Sequence, residues 1–288
     1  MELIHKKNNP AISVVIPVYN AEMYVKEAID SILGQSFADF ECIVVDDGST
    51  DGTKEIIQLY DDSRIVLVEN NHDFIGSLNM GINMAKGKYI ARMDADDTMH
   101  PDRLRIQHSI METEPNIIIC GTWMTLFGNG ITTESIARSI NGLVEFPLLQ
   151  LLQGNFVFHP TTMIRKNFLV EHQLYYEEYP YAEDFKLWSE IAKRGGTFYI
   201  ENQPLLYYRI SENQVTKRKK EEQKATSERI LHEILNFLLD KNKEKYFELT
   251  ELSKNLQKLQ QKELISFAKI LQISHDIFVT NKNRLLLA

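Results

Sequence analysis

The sequence predicts an α/β fold with a mixed, mainly parallel sheet flanked by helices. Apolar, β-branched runs such as "AISVVIPV" and "ECIVV" recur along the first hundred residues, and amphipathic segments lie between them. Each run ends in a polar or acidic segment: "PVYN", "DDGSTD" and "DADD". Strands that alternate with helices favour parallel pairing, so these three segments are expected on one rim of the sheet.

The elements follow in chain order. After the first strand, apolar residues at helical spacing predict a helix that ends at Gly34. Further helices are expected at residues 53–60, in "IGSLNMGINMAKG", at residues 102–112 and in "YAEDFKLWSEIAKRGG". Strands are expected in "RIVLVEN" and "KYIARM", and one or two strands are expected in "NIIICGTWMTLFG". A loop is expected at residues 159–162, and a strand pair is expected in "TFYIENQPLLYYRI".

Charge divides the chain into two parts. The net charge is −8 and 43% of residues are hydrophobic, which suits a globular protein and argues against nucleic acid as a partner. Residues 211–288 carry a net charge of +4 and residues 1–210 carry −12. We therefore expect a main domain at residues 1–210 and a helical C-terminal extension at residues 211–288.

Cysteine usage and hydropathy predict the compartment. Cys42 and Cys120 lie in apolar runs and are expected to be buried thiols, which fits a reducing environment. The N-terminal "MELIHKKNNP" lacks the apolar segment of a signal peptide, and no run approaches the roughly 20 apolar residues that span a bilayer. The expected location is the cytoplasm, with peripheral contact at the inner face of the membrane left open.

The segment "DDGSTDGT" resembles several known loops only in part. Asp47, Ser49 and Asp51 match the start of an EF-hand, but Gln58 stands where the bidentate Glu belongs and a strand precedes the loop. A phosphohydrolase of the haloacid-dehalogenase type would need an Asp where Val45 stands. A dinucleotide-binding dehydrogenase would need a Gly-rich turn in place of "PVYN". All three classes are disfavoured.

The segment "DADD" places three carboxylates directly after a predicted strand. Asp94 and Asp96 are expected to face the same rim and to bind Mg²⁺ or Mn²⁺, because such sites use one or two carboxylates together with substrate phosphates. A bound cation would offset the repulsion between the carboxylates. For Asp97, capping of the following turn is the alternative role.

Together these motifs resemble the family 2 glycosyltransferases. The resemblance rests on "SVVIPVYNAEMYVKEAIDSILGQSFADFECIVVDDGSTDGT", "AKGKYIARMDADD" and "AEDFKLW", and it covers residues 12–210. It implies the GT-A fold, a nucleotide-sugar donor and inversion at the anomeric carbon. Residues 1–210 would then be the catalytic domain, and the extension is not covered.

The resemblance also assigns donor-binding roles. It implies that Pro17 and Tyr19 line the nucleobase site and that Asp47 accepts a hydrogen bond from the base imide, which favours uracil or thymine. Asp94 would contact the donor ribose or the metal, and Asp96 would bind Mn²⁺ or Mg²⁺ directly. An aromatic ring at the rim can stack on a base, which agrees with the role of Tyr19.

Two further residues acquire roles by resemblance. Asp184, in "YAEDFKLW", would be the general base that takes the proton of the acceptor hydroxyl. Arg209 would lie near the diphosphate, for which its planar fork is suited. Glu183 supports this loop or contacts the acceptor, or it simply complements the helix dipole.

Four further residues are weaker candidates. Arg92 faces the rim or forms a structural ion pair. His159 binds the acceptor or a phosphate, or is structural. Gly76 and Asn79 occupy positions that the family often uses near the donor.

The predicted function is transfer of a hexose or N-acetylhexosamine from a UDP-sugar to a saccharide acceptor, which is lipid-linked in many relatives. The expected setting is bacterial surface polysaccharide synthesis, such as that of lipopolysaccharide O-chain or capsule. The alternatives are a non-catalytic nucleotide-binding homologue and a sugar nucleotidyltransferase, which would need a Gly-rich phosphate loop. A processive synthase is disfavoured because its Gln-x-x-Arg-Trp motif is missing. Four roles are considered for the C-terminal helices: a solvated face, a homodimer contact, a cover over the acceptor site and a membrane contact.

Overall fold

The computed structural model describes residues 9–128, 130–136, 140–211, 218–244, 251, 254–255, 258 and 266–282. The chain divides into two compact units that are interleaved along the sequence. The first unit comprises Met1–Leu143, Val157–Tyr176 and Phe198–Gln214, and the second comprises Val144–Phe156, Glu177–Thr197 and Val215–Ala288. The division at residue 210 that composition predicts stays a prediction.

A mixed sheet forms the centre of the first unit. Its strands are β1 (Ile12–Val18), β2 (Phe40–Asp46), β3 (Ile65–Glu69), β4 (Tyr89–Arg92), β5 (Thr98–Met99), β6 (Ile117–Gly128), β7 (Ile131–Ile136), β8 (Gly142–Val144), β9 (Met163–Arg165) and β10 (Thr197–Arg209). The order is β3-β2-β1-β4-β9-β6-β10-β5, with β7 beside β6 and β8 beside β10. The pairs β1–β2, β1–β4 and β2–β3 are parallel, as predicted. The pairs β4–β9, β6–β9, β6–β7 and β5–β10 are antiparallel.

Helices cover the parallel strands. In the first unit they are α1 (Val25–Leu33), α2 (Thr53–Gln58), α3 (Phe74–Met84), α4 (Arg103–Thr113) and α6 (Lys166–Glu171), with a 3₁₀ turn at His159–Thr161. Every residue of β1 is buried, as expected for a strand with helices on both faces. Gly81 lets α3 approach β1, because a Cβ at this position would overlap the Val15 side chain. Helix α1 ends at Gly34, whose N–H donates to the Asp30 carbonyl at 3.0 Å.

Several elements differ from the predictions. Helix α2 ends at Gln58 instead of residue 60, and residues 159–161 of the predicted loop form a 3₁₀ turn. The predicted strand pair in "TFYIENQPLLYYRI" is one continuous strand, β10. Its polar "ENQP" stretch is accommodated because the exposed Gln203 N–H donates to Glu201 Oε1 at 3.1 Å. The segment "NIIICGTWMTLFG", predicted to hold one or two strands, forms the single strand β6.

The second unit is helical. It contains α5 (Pro147–Leu151), α7 (Glu183–Lys193), α8 (Lys220–Asn242) and α9 (Phe267–Thr280). Helix α5 contacts the other three, and α7 contacts α8. The buried residues of α8 are Ile230, Ile234, Leu235, Leu238 and Asn242. The helices predicted after residue 211 are therefore present in the described part of the chain.

Two smaller predictions concern cysteines and hydropathy. Cys42 and Cys120 are both buried free thiols, as predicted. Within the described residues, no helix has the length and apolar character that crossing a bilayer requires.

Candidate active site

The segments after β1 and β2 form one surface, as their parallel pairing predicts. The Asp47 N–H donates to the Val18 carbonyl at 2.8 Å. Asn20 N donates to Ser49 Oγ at 3.0 Å, and Asn20 Oδ1 accepts from Thr50 N at 2.8 Å. The loop "DDGSTD" is thus fastened to the end of the first strand, at the carboxyl ends of the strands where ligands collect in such sheets.

Asp47 is a buried carboxylate held by the start of α3. Its Oδ1 accepts from Asp73 N at 2.7 Å and from Ser77 Oγ at 2.8 Å, and its Oδ2 lies 3.9 Å from His72 Nδ1. Asp73 caps α3 by accepting from Gly76 N at 2.9 Å. A Cβ at position 76 would overlap the Asp73 carboxylate, so Gly76 serves this cap.

An aromatic pair lies beside Asp47. Tyr19 follows β1 and is 46% exposed, and its ring centroid is 4.4 Å from that of His72. His72 has a φ of 49°, so the loop after β3 turns back toward Tyr19. Pro17 is buried within β1, in register with Val45. The sequence analysis did not identify His72; its only signal was a polar residue in a loop that follows a predicted parallel strand.

An acidic cluster follows β4. One oxygen from each of Asp94, Asp96 and Asp97 lies within 4.8 Å of the others. Burial raises the pKa of Asp96 to about 6, and the charge of Asp94 adds to this effect. Burial, followed by the charges of Asp94 and Asp96, raises the pKa of Asp97 well above its usual range. Three carboxylate oxygens this close together fit a hard divalent cation such as Mg²⁺ or Mn²⁺.

Asp97 does not cap the following turn, contrary to the alternative considered above. It is fully buried, and its Oδ1 accepts from the Arg209 N–H on β10 at 2.9 Å. Its Oδ2 has no hydrogen-bond partner among the described residues. A buried carboxylate oxygen without a donor is costly, so this oxygen further supports a cation at the cluster.

Arg209 lies beside the acidic cluster. Its Nε donates to the Asp96 carbonyl at 2.8 Å, and its Nη2 forms an ion pair with Glu27. The guanidinium also lies over the rings of Tyr24 and Phe127, 4.8 and 4.4 Å from their centroids. The structure thus brings Arg209 to the cluster, where its charge partly offsets the carboxylates.

The buried Arg92 forms an ion pair, which was the structural alternative to a role at the rim. Its Nη2 lies 2.5 Å from Asp94 Oδ1. Its Nε and Nη1 have no hydrogen-bond partner in the described part of the chain. Arg103 Nη2 donates to the Arg92 carbonyl at 2.8 Å, and burial lowers the pKa of Arg103 to about 9. Arg92 therefore supports Asp94.

His159 and Asn79 both contact Tyr176, which the sequence analysis did not identify. His159 Nε2 lies 2.8 Å from the Tyr176 hydroxyl. Asn79 exchanges two hydrogen bonds with the Tyr176 backbone, each 2.9 Å long. Burial, together with the positive charge of Arg92, holds the pKa of His159 well below its usual range. A neutral, buried His159 is suited to holding Tyr176 in place.

Asp184 and Glu183 belong to the second unit, at the first turn of α7. Asn155 Nδ2 donates to Asp184 Oδ2 at 2.8 Å, and Phe185 N donates to Asp184 Oδ1 at 2.6 Å. Glu183 is buried, whereas Asp184 is partly exposed. Acidic side chains in a first helical turn interact favourably with the helix dipole.

A mixed α/β sheet flanked by helices, with an acidic cluster after the parallel strand β4, is the architecture of the GT-A fold. The profile of glycosyl transferase family 2 matches residues 13–172, which is more than half of the chain. The chain therefore belongs to glycosyl transferase family 2, and it is a glycosyltransferase.

Individual relatives agree with this assignment. An uncharacterized glycosyltransferase of Haemophilus influenzae is 35% identical over 253 residues, which cover 82% of this chain and 76% of that protein. TuaG of Bacillus subtilis, whose name proposes a glycosyltransferase of teichuronic acid biosynthesis, is 30% identical over 221 residues, or 75% of this chain and 86% of TuaG.

A solved structure has the same fold. The crystal structure of Staphylococcus aureus TarS, residues 1–349, in complex with UDP-GlcNAc superposes with a TM-score of 0.62 at 22% identity. The match covers 83% of this chain and 75% of that chain.

Proposed function

We propose that this glycosyltransferase moves a hexose or N-acetylhexosamine from a UDP-sugar to a saccharide acceptor, with inversion, in bacterial surface polysaccharide biosynthesis. The acidic cluster after β4, with the buried and unpartnered Oδ2 of Asp97, is the observation that carries the proposal. The name of TuaG and the UDP-GlcNAc complex of TarS support the acceptor and donor classes. A lipid-linked acceptor and a cytoplasmic location stay predictions.

Donor binding would use the rim beside Asp47. The exposed ring of Tyr19 would stack on the uracil, and Asp47 Oδ2 would accept the hydrogen bond from the base imide. The contacts of Asp47 Oδ1 with Asp73 and Ser77 support this role, because they fix the carboxylate with its other oxygen 3.9 Å from His72 Nδ1.

The leaving diphosphate would be stabilised at the acidic cluster. Asp94, Asp96 and Asp97 would hold Mn²⁺ or Mg²⁺, and a bound divalent cation supplies stabilisation of the charge that develops on the diphosphate. Arg92 orients Asp94 through their ion pair, and Arg209 adds a positive charge beside the cluster.

Asp184 would act as the general base. Its carboxylate would accept the proton of the acceptor hydroxyl, whose oxygen attacks the anomeric carbon from the face opposite the diphosphate. Attack from this face inverts the anomeric centre, so an α-linked donor would yield a β-glycoside. The hydrogen bond from Asn155 supports the role because it orients the carboxylate before the acceptor binds.

The test is UDP, GDP or dTDP release from a panel of nucleotide sugars, with Mn²⁺ or with chelator, using water and a panel of saccharides as acceptors. We expect metal-dependent release from one UDP-sugar, abolished in Asp96→Ala and lowered about a hundred-fold or more in Asp184→Asn. Asp61→Asn, at an exposed carboxylate, is the matched control. Absence of release from every donor, with unchanged UDP affinity in Asp96→Ala, would instead favour a non-catalytic nucleotide-binding homologue.

A further inference from the structure

Helix α8 carries three polar side chains that contact the turn before α7, all within the second unit. Gln223 Nε2 donates to the Tyr181 carbonyl at 2.8 Å. The guanidinium of Arg229 lies over the Tyr179 ring, 3.8 Å from its centroid. Glu233 Oε1 accepts from the Tyr179 hydroxyl at 2.6 Å. We refer to Gln223, Arg229 and Glu233 as the α8 brace.

Glu233 joins this turn to α7 itself. Its second oxygen, Oε2, accepts from Lys186 Nζ at 2.8 Å. Lys186 is buried on α7 and also donates to Glu190 Oε1 at 2.9 Å. A single carboxylate on α8 therefore holds both Tyr179 and Lys186, through hydrogen bonds that are strengthened by charge.

Residues 179–182 form the turn from which α7 begins. Ala182 N donates to the Tyr179 carbonyl, and Lys186 N donates to the Ala182 carbonyl, both at 3.0 Å. Tyr181 has a φ of 62°, a left-handed conformation that a bulky residue adopts only when its surroundings hold it there. Asp184 follows two residues after this turn ends, so the direction of its side chain depends on the geometry of the turn.

We propose that the α8 brace positions Asp184 by fixing residues 179–182 and the first turn of α7. The inference rests on the proposed function, in which Asp184 is the general base, and it gives the C-terminal helix a part in the transfer step. A general base must lie within hydrogen-bond reach of its proton, and small displacements lower the rate strongly. Glu233 is a positioning residue because it acts through α7.

Amide hydrogen exchange of the full chain tests whether the α8 brace fixes residues 179–182 and the first turn of α7. Glu233→Gln preserves side-chain size but turns an amide toward Lys186 or Tyr179, and Tyr179→Phe removes only the hydroxyl. We expect about ten-fold faster exchange in residues 179–186 of both variants, with exchange in β1 and the affinity for UDP unchanged. Glu228→Gln, at an exposed glutamate of the same helix, is the matched control. Equal exchange in Glu233→Gln and Glu228→Gln would overturn the proposal.

UDP release in Mn²⁺ from the UDP-sugars of the same panel, with water and the same saccharides as acceptors, tests whether the α8 brace affects the transfer step. We expect Glu233→Gln to lower kcat about ten-fold while KM stays unchanged, and to cause no further loss in an Asp184→Asn background. If Glu233 only stabilised the fold, Glu233→Gln would lower the fraction of active enzyme both in the parent and in Asp184→Asn. Losses of kcat that add up in the double variant would therefore contradict a positioning role for Glu233. Absent turnover with every UDP-sugar and acceptor of the panel, or full activity in Asp184→Asn, would count against the proposed function, whereas hydrogen exchange would still decide whether the brace holds the turn.

Discussion

Tyr19 presents nearly half of its surface to solvent beside the buried carboxylate of Asp47. If its ring stacks on uracil, Tyr19→Ala should weaken UDP binding by about 5- to 150-fold, since base stacking contributes about 1–3 kcal/mol. Tyr19→Phe retains the ring and should bind UDP nearly as the parent does. Isothermal titration with UDP measures both. Unchanged affinity in Tyr19→Ala would contradict a stacking role, and equal weakening in the two variants would assign the effect to the hydroxyl.

At the same scale, the sequence predicted the residues that end strands and missed those defined by distant partners. Asp47 and Asp94 follow apolar runs whose length and composition mark β2 and β4, so their place on the rim was predictable. His72 and Tyr176 matter through contacts with Tyr19 and Asn79, which no local pattern encodes. The same limit explains why Asp97 was considered as a cap: its partner, Arg209, lies 112 positions away.

Helix α7 illustrates how charge on one element makes its stability depend on pH. Burial would raise the pKa of Glu190, but hydrogen bonds from Lys186, Lys193 and Arg194 outweigh it and lower this pKa to about 2. A carboxyl whose pKa is lower in the folded state stabilises the protein fully above its unfolded pKa of 4.5, and this stabilisation is lost as pH falls toward 2.

Glu190→Gln should therefore make the free energy of unfolding depend less on pH in the acidic range. Between pH 6 and pH 3 we expect the parent to lose about 1–2 kcal/mol more unfolding free energy than the variant. Urea unfolding at a series of pH values measures this difference. Glu178→Gln, at an exposed glutamate in the same unit, should retain the parent's slope. A slope in Glu190→Gln equal to that of the parent would show that the ion pairs of α7 contribute nothing to stability.

Element boundaries followed the local pattern where that pattern was strong. Strands β1, β2 and β4 lie where short apolar runs predict them, and Gly34 ends α1. Strand β10 was missed as a single element because "ENQP" resembles a turn, while its continuity depends on pairing with strands distant in sequence and on the Glu201 side chain. Sequence patterns report local preference, and pairing across the sheet can override it.

At the scale of the whole molecule, the two compact units do not coincide with the two parts that charge predicts. The second unit combines α5 and α7, which precede residue 210, with α8 and α9, which follow it. Four aliphatic side chains of α8 are buried: Ile230, Ile234, Leu235 and Leu238. Burial of each contributes about 1.5–3 kcal/mol, so together they approach the total stability of about 5–15 kcal/mol that is typical of a domain.

A chain of residues 1–210 should consequently lose the cooperative unfolding of its second unit, because α5 and α7 would expose the surfaces that α8 and α9 cover. We expect the truncated chain to bind a hydrophobic dye and to aggregate on heating, and Leu238→Ala in the full chain to lose about 2–5 kcal/mol. Lys224→Ala, at an exposed position on α8, should unfold like the parent. Calorimetry with dye binding distinguishes the alternatives: if residues 1–210 unfold cooperatively at the parent's temperature without binding dye, they form a domain by themselves and the C-terminal helices are an appendage.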